Sequence, residues 1–330
     1  MTPADLSRTV VRAVRTAVDE GALRVVVPES VKVERSRPGG QGDYATSAAL
    51  QLAGPAGMAP RQVAEALRAR IARTPGIAAV EITGPGFLNF TLAADGSGDL
   101  VRTVLAQGLE YGHGDALAGT DVPLGPVDET RAAVVTHTVV TLLRSQGARA
   151  SVVPGAPETL RPVPLPPGDD TFARLGSDAA RWGMLRPAAH DHPYTGEELL
   201  AQRESNPLFR VRYAYARTRA LTRNAHDLGF EGAYEEAAYE ESIEAPALLA
   251  ALADHPAVLE AAARHRAPDR LARHLVTTAD ALLDLHPTVL PIGDEKPSAA
   301  HRSRLALAEA AGTVLAGGLS LLGISAPEFI

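Results

Sequence analysis

A basic and aromatic stretch, NPLFRVRYAYARTRALTRNA over 206–225, stands out in a chain whose formal net charge is -7. Arg210, Tyr213 and Arg217 recur at three- and four-residue spacing, which places them on one face of a helix. Asn206 or Arg203 extends this face by one turn. Guanidinium groups pair with phosphates, and tyrosine rings stack on unpaired bases. The spacing therefore predicts a helix that holds single-stranded RNA.

The same stretch has a second, purely structural interpretation. Arg212, Tyr215 and Arg219 form a neighbouring stripe, and the acidic run YEEAAYEES follows at 234–242. If the arginines pair with these glutamates, the helix is a solvated surface element and its ion pairs contribute little. Composition alone leaves both interpretations open.

A second candidate surface lies on the segment GFLNFTL, which alternates as a strand does. Leu88, Phe90 and Leu92 fall on one face, and Phe87 and Asn89 fall on the other together with Thr91. A ring beside an amide suits a nucleic-acid base, because the ring stacks while the amide offers a donor and an acceptor. The alternative is a strand buried on both faces, with Asn89 bonded to the backbone.

Other chemistries have weaker signals. His190, Asp191 and His192 are metal-ligand types, but two histidines placed two residues apart on a strand or turn project apart, so we expect no metal site. His137, in an apolar helical pattern, is expected to be a packed core residue. GHGDAL at 112–117 lacks the third glycine and the preceding strand of a dinucleotide fingerprint. We expect no cofactor.

Composition sets the class of protein. The 330 residues, 45% of them hydrophobic, suffice for two or three globular domains. The chain has no cysteine, and no apolar run reaches the roughly 20 residues of a membrane span. The first residues lack the layout of a secretory signal, so we expect a cytoplasmic protein without a membrane partner. Its acidity disfavours binding to nucleic acid over the whole surface, DNA included, but permits a local basic site.

Periodicity divides the chain into three regions. Residues 1–95 alternate helical and strand patterns, with ALRVVVPES, VKVERSR, IAAVEIT and GFLNFTL read as strands and DYATSAALQLAG as a helix. Residues 96–168 contain two helices, the strand ARASVV and the proline-rich run PGAPETLRPVPLPPG, which is typical of a linker. Residues 169–330 have helical patterns throughout. The sequence predicts an α+β domain, a small α/β segment and an all-α bundle.

Several motifs resemble arginyl-tRNA synthetases, in the order that this family has them. VKVERSRPGGQGDYATSAALQLAG, GMAPRQVAEALRARI and PGIAAVEITGPGFLNF resemble the additional N-terminal domain of the family. LGSDAARWGMLR is similar to the segment that leaves its catalytic domain, and NPLFRVRYAYAR to the start of its anticodon-binding domain. APDRLARHLVTTADAL and RLALAEAAGTVLAGGLSLLGISAPEFI resemble its DALR-type C-terminus. The resemblance covers about three quarters of the chain.

The resemblance implies roles for specific residues. In the family, an aromatic-x-Asn pair on the last strand of the N-terminal domain recognises a D-loop base of tRNA, which implies this role for Phe87 and Asn89. An asparagine, two tyrosines and an arginine lie near the anticodon stem and loop. Asn206, Tyr213 and Arg217 match three of these, while Arg210 replaces the first tyrosine, and SAPEFI replaces the usual SAPERM tail. Both departures put anticodon specificity in doubt.

The middle of the chain departs from the family pattern. TDVPLGPVDETRAAVVTHTVVTLLRSQGARA resembles the first strand, loop and helix of a class I synthetase catalytic fold. Where the family has the two histidines of its HIGH motif, this chain has Asp128 and Glu129, whose carboxylates repel a triphosphate. The rest of the catalytic domain, including the KMSKS loop, has no counterpart. The resemblance thus implies a reduced catalytic remnant that performs no aminoacylation.

Three functional hypotheses follow. The first is a non-catalytic tRNA-binding protein that contacts the D-loop and the anticodon stem, with arginine acceptors as the expected tRNA. The second is an accessory subunit that docks on a synthetase or a biosynthetic enzyme that uses aminoacyl-tRNA. The third is an arginine-tRNA ligase homologue that retains some activity or acts in trans. Retention of Phe87, Asn89, Tyr213 and Arg217 favours the first.

Overall fold

The computed structural model describes residues 3–36, 41–74, 76–92, 96–234 and 245–330. These residues form two compact units, 1–100 and 101–330. Each unit has its own hydrophobic core, as expected for domains that fold around separate sets of apolar side chains.

The first unit combines helices and strands, as the alternating sequence patterns predict. Its elements are α1 (Pro3–Asp19), β1 (Val33–Arg35), β2 (Tyr44–Thr46), α2 (Ala48–Ala56), α3 (Pro60–Ile71), β3 (Ile77–Thr83) and β4 (Phe87–Leu92). The four strands form an antiparallel sheet in the order β1-β2-β4-β3. Its core contains Leu6, Val10 and Val14 of α1 together with Leu88 and Phe90 of β4, all fully buried. The helical and strand periods therefore bury the residues that they predict.

Two predictions for the first unit are wrong. Residues 22–30 form no strand, because the backbone N–H groups of Ala22 and Leu23 both donate to the carbonyl of Ala17 and so close the end of α1. The segment DYATSAALQLAG is not one helix, because Tyr44–Thr46 pairs with β4 as a strand before α2 begins. Both stretches are apolar, and it is their neighbours in space that select the backbone conformation.

The second unit contains a β-α-β arrangement that is followed by helices. Helix α4 (Gly96–Gln107) crosses the boundary between the units, and a 3-10 turn follows at Gly108–Glu110. The remaining elements are β5 (Asp121–Leu124), α5 (Thr130–Ser145), β6 (Arg149–Val152), α6 (Thr171–Leu185), the 3-10 turn Glu197–Leu200, α7 (Pro207–Asp227), α8 (Pro246–Arg264), α9 (Pro268–Leu285), the 3-10 turn His286–Thr288 and α10 (Ala299–Leu321). Strands β5 and β6 are parallel, with α5 between them in the chain. The prediction of a helical C-terminal region is confirmed for its described residues.

His137 is a correction to the sequence prediction. The apolar helical pattern predicts a core position, but His137 lies on the exposed side of α5, and its Nδ1 is 2.8 Å from the carbonyl of Ala133 one turn earlier. The apolar residues that surround it in the sequence are buried on the other sides of the helix. No helix among the described residues is both long and apolar enough to cross a membrane.

Candidate nucleic-acid interface

Strand β4 presents the Phe87 ring on the sheet face opposite the core. Phe87 is 39% exposed, whereas Leu88 and Phe90 on the other face are fully buried. The ring is therefore accessible to a stacking partner. The tight turn before it needs glycine: Gly86 has φ +148°, and a Cβ there would lie 2.9 Å from the carbonyl oxygen of Pro60.

Asn89 is less open than its strand position suggests. It is 7% exposed, and its Nδ2 donates a 2.7 Å hydrogen bond to the hydroxyl of Thr83 on β3. Among the described residues its side-chain oxygen has no hydrogen-bond partner. The structural alternative expects a buried Asn89 bonded to the backbone: the residue is buried, but its described partner is a side chain. The amide keeps one N–H and its oxygen for a ligand.

Asn206 begins helix α7 as its N-cap. The side-chain oxygen accepts from the backbone N–H of Leu208 at 3.0 Å, and Nδ2 donates to the carbonyls of Leu199 and Ala201 at 2.8 and 2.9 Å. The residue is 4% exposed. These bonds hold the preceding segment against the helix start and give Asn206 a structural reason to be present. A contact between Asn206 and RNA stays a prediction.

The predicted face of α7 is half-buried. Arg210 forms an ion pair with Asp280 of α9 at 3.1 Å, and Tyr213 stacks on Phe209 with ring centroids 5.6 Å apart. Arg217 forms no ion pair among the described residues, and its Nε is buried without a hydrogen-bond partner there. The structure therefore keeps these side chains on one helix. Arg210 has a carboxylate partner, whereas Arg217 has none among the described residues.

The second arginine stripe of α7 contacts the C-terminal segment Ser325–Ile330, here called the tail. Arg212 approaches Asp178 of α6 at 3.6 Å and the Ser325 hydroxyl at 3.4 Å. Arg219 pairs with Glu328 at 3.2 Å. The guanidinium of Arg223 lies 4.4 Å from the centroid of the Phe329 ring, a cation–π distance.

These contacts decide part of the structural interpretation of the basic stretch. The arginines do pair with acids, as that interpretation expects, but the described partners come from α6, α9 and the tail. Of the run YEEAAYEES only Tyr234 lies within the described residues, so pairing with that run is not described. An open cavity of about 480 Å³ lies between α6, the turn at Glu197–Leu200, α7 and the tail, lined by Leu175, Asp178, Leu208, Phe209, Arg212 and Phe329 among others.

The start of α5 is closed by the chain's own carboxylate. Glu129 is the N-cap of α5, and its side chain accepts from the backbone N–H groups of Arg131 and Ala132 at 3.1 and 2.7 Å. It also accepts from the N–H of Leu165 in the proline-rich run. A helix N-terminus with free N–H groups binds phosphate well. In α5 the N–H groups of Arg131 and Ala132 already donate to an anion, the Glu129 carboxylate.

Arg131 is buried beside this cap. All five N–H groups of its guanidinium donate to backbone carbonyls: Nε to Met184, and the two terminal nitrogens to Val163, Asp191, Pro187 and Ala188, at 2.7 to 3.3 Å. Burial lowers the pKa of Arg131, while the negative charges of Glu129, Asp191 and Asp269 oppose that shift. The side chain ties α5 to the proline-rich run and to the segment after α6. It has no donor left for a phosphate.

Two buried histidines form the most strongly shifted titratable cluster in the second unit. The rings of His255 on α8 and His274 on α9 lie 5.2 Å apart, and His255 also stacks on Tyr111. Burial lowers the pKa of His274 to about 4 and that of His255 well below its usual range. Among the described residues, no group of three or more histidine, aspartate or glutamate side chains is arranged to hold a metal ion.

Two models of known protein families match the parts of the chain that carry these side chains. The model of the arginyl tRNA synthetase N terminal domain matches residues 5–92, which include β4 with Phe87 and Asn89. The model of the DALR anticodon binding domain matches residues 211–330, which include most of α7 and the tail. The chain therefore carries an arginyl tRNA synthetase N-terminal domain and a DALR anticodon-binding domain. Along the chain, the β5-α5-β6 segment, in which Glu129 caps the N-terminus of α5, comes between these two matched ranges.

Individual relatives show how much of a synthetase is present. An arginine–tRNA ligase of Frankia alni is 50% identical over 135 residues, which make up 38% of this chain and 24% of the relative. An arginine–tRNA ligase of Renibacterium salmoninarum is 26% identical over an alignment of 547 positions that spans 99% of this chain and 100% of the relative. Because the chain has 330 residues, a large part of that relative has no counterpart here. The part of this chain that is 50% identical to the Frankia alni ligase corresponds to about a quarter of the length of that ligase.

A solved structure agrees at the level of the fold. The arginyl-tRNA synthetase of Thermus thermophilus matches with a TM-score of 0.70, covering 100% of both chains at 13% sequence identity. This likeness shows a multidomain, arginyl-tRNA synthetase-like fold and carries no argument about activity.

Some residues of the candidate interface were missed in the sequence. Thr83 contacts Asn89 and Asp280 contacts Arg210, while Asp178 and Glu328 contact Arg212 and Arg219 of the second stripe. All four lie within segments quoted above, but residue spacing assigns none of them a role at the site. Only Thr83 had a usable signal. An antiparallel hairpin around the glycine-rich turn places Thr83 opposite Phe87, and therefore diagonal to Asn89.

Proposed function

We propose that this chain binds tRNA without aminoacylating it. The N-terminal unit would hold the elbow of the tRNA through Phe87 and Asn89, and α7 would contact the anticodon stem and loop through Tyr213 and Arg217, with Arg210 and Asn206 beside them. The acceptor would be an arginine tRNA, in keeping with the synthetases that both flanking domains resemble. In this proposal the β5-α5-β6 segment is a reduced remnant of the catalytic fold.

The observation that carries the non-catalytic part is the Glu129 cap. A synthetase of this class must stabilise negative charge on the ATP phosphates. At the start of α5 the chain instead provides a carboxylate that already accepts two backbone N–H groups, with Arg131 beside it engaged by five carbonyls. A phosphate would meet a like charge and no unused donor from either residue.

Binding rests on two separate arms. If both arms contact one tRNA, each raises the effective concentration of the other, so affinity falls steeply when either arm is lost. The accessible Phe87 ring and the half-buried Tyr213 ring offer stacking surfaces, while Arg217 offers a cation without a described carboxylate partner. A stacked base is worth about 1–3 kcal/mol.

The test measures binding and catalysis on the same purified chain. Fluorescence anisotropy with an arginine-acceptor transcript should give a salt-dependent Kd, and Asn89→Ala or Tyr213→Ala should each weaken it by about 1–3 kcal/mol. Asn224→Ala and Tyr194→Ala are matched controls, because both residues are exposed and lie outside the proposed contacts. They should leave Kd unchanged.

Catalysis is checked with labelled arginine, ATP and the same transcript. The expected result is no charged tRNA above the level of a reaction without protein. Turnover by the purified chain would overturn the non-catalytic proposal while leaving RNA binding in place. Failure to bind any tRNA, even at low salt, would overturn the binding proposal itself.

A second function is favoured by the internal pairing of the α7 arginines. Arg210, Arg212 and Arg219 already have carboxylate neighbours. In this second candidate the helix is a surface that contacts a protein, such as a synthetase or another enzyme that uses aminoacyl-tRNA. This candidate predicts a stable complex with such an enzyme in the absence of RNA, measurable by analytical ultracentrifugation.

A further inference from the structure

Register places Thr83 on the outer face of the hairpin, at the end of β3 next to the turn. Thr83 is the ladder partner of Phe87, and Glu81 is the partner of Asn89. Because side chains on one face of an antiparallel pair meet both directly and diagonally, Thr83 is within reach of both Phe87 and Asn89. The hydrogen bond between Thr83 and Asn89 uses the diagonal contact.

This bond acts on Asn89, whose amide can offer both a donor and an acceptor to a base edge. The terminal torsion of an asparagine is broad and roughly two-fold, so an unsupported amide samples many orientations. The Thr83 hydroxyl, 2.7 Å from Nδ2, holds the amide plane in one of them. Asn89 is nearly buried, so solvent provides little competition for the same N–H.

The groups that remain define what the amide offers. Asn89 keeps its oxygen and one N–H, while Glu81, across the ladder, carries a carboxylate on the same face. The Phe87 ring lies next along the strand on that face and is open to solvent. A base that stacks on this ring would meet an amide whose orientation is already set.

We propose that Thr83 is a positioning residue that preorganises Asn89 for recognition of an unpaired tRNA base. This inference rests on the proposed function, since it assumes that Asn89 contacts a base. Thr83 itself does not touch the RNA in this proposal. It removes the ordering cost of the amide before binding, so its effect is on affinity for the correct base.

The size of the effect follows from the cost of ordering one side chain. Fixing a rotamer-rich side chain costs about 0.5–1.5 kcal/mol, which corresponds to about a 2- to 12-fold change in Kd. Thr83→Val replaces the hydroxyl by a methyl group of similar shape and should weaken binding within this range. Thr83→Ser keeps the hydroxyl and should restore binding to near that of the parent chain.

The experiment uses the full chain and two kinds of RNA. One is an arginine-acceptor transcript, and the others are the same transcript with each unpaired D-loop nucleotide replaced in turn by an abasic residue. The readout is the ratio of the Kd for an abasic transcript to the Kd for the intact one. A merely structural role would change folding stability, which thermal unfolding records separately, but would not change this ratio.

The outcomes separate this inference from the function on which it rests. We expect one abasic position to raise Kd for the parent chain and for Thr83→Ser, with a smaller ratio for Thr83→Val at an unchanged melting temperature. If Asn89→Ala abolishes the ratio but Thr83→Val leaves it intact, the positioning role is wrong and the base contact stands. If Asn89→Ala has no effect, both the contact and the positioning role are overturned.

Discussion

Replacing Arg131 by methionine tests whether the second unit depends on a single buried guanidinium. The side chain is fully buried, and its five N–H groups donate to five backbone carbonyls from two segments outside α5. Methionine fills similar space but donates nothing, so those carbonyls lose a charged partner. A buried acceptor left without a partner costs about 1–3 kcal/mol, so the loss of several such bonds should cost on the order of 3–5 kcal/mol.

The expected readout is a lower melting temperature of the second unit. For a domain of 150–250 residues, 1 kcal/mol corresponds to about 2–4 °C, so Arg131→Met should lower the transition by about 6–20 °C. Arg131→Lys should fall between the parent and Arg131→Met, because an ammonium has three donors in place of five. Differential scanning calorimetry of the full chain measures all three proteins.

Arg149 supplies the matched control. It lies on β6 and pairs with Asp121 through two hydrogen bonds, but the side chains are 73% and 66% exposed. Exposed ion pairs contribute about 0–1 kcal/mol, so Arg149→Met should lower the transition by at most about 4 °C. Equal melting temperatures for Arg131→Met and Arg149→Met would refute the reasoning that burial and full use of the donors make Arg131 important.

Two further predictions concern protonation and salt. Burial lowers the pKa of His274 to about 4 from 6.5, so the folded state favours the neutral ring and its stability is fully present above pH 6.5 and falls as the pH drops towards 4. The loss is on the order of 3 kcal/mol; urea unfolding between pH 4 and 7 should show a shallower pH dependence for His274→Leu, and equal slopes would contradict the assignment. Glu328→Gln should free Arg219 to contact phosphate, raising the slope of log Kd against log salt for tRNA binding by up to about 0.9. An unchanged slope would mean that Arg219 does not reach the RNA.

Sequence periodicity predicted the helices well where an apolar face repeats over several turns. Leu6, Val10 and Val14 of α1 are buried at the predicted spacing, and the C-terminal helices follow their patterns. Short apolar segments were less predictable. Residues 22–30 and Tyr44–Thr46 carry patterns that either a strand or another conformation satisfies, and the choice depends on whether a partner strand is adjacent.

The candidate interface was predictable only in part, for a related reason. Helical and strand spacing indicates which side chains share a face, and it placed Phe87 on the face opposite Leu88 correctly. Spacing carries no information about partners that are distant in the sequence. Asp280 beside Arg210 and Glu328 beside Arg219 arise from packing between elements, so the structure was needed to find them. Thr83 beside Asn89 is different, because the register of the hairpin indicates it.

The pairing of α7 explains how an acidic chain accommodates a basic, aromatic helix. Arg210 and Arg219 face carboxylates of α9 and the tail, so part of the positive charge of the helix is balanced within the fold. An RNA phosphate that replaces such a carboxylate exchanges one anion for another, and the net electrostatic gain is smaller than the number of arginines suggests. Arg217, without a described carboxylate partner, offers its charge with no such exchange. If the helix binds RNA, its specificity therefore depends more on Tyr213 and Arg217 than on the total charge of the stretch.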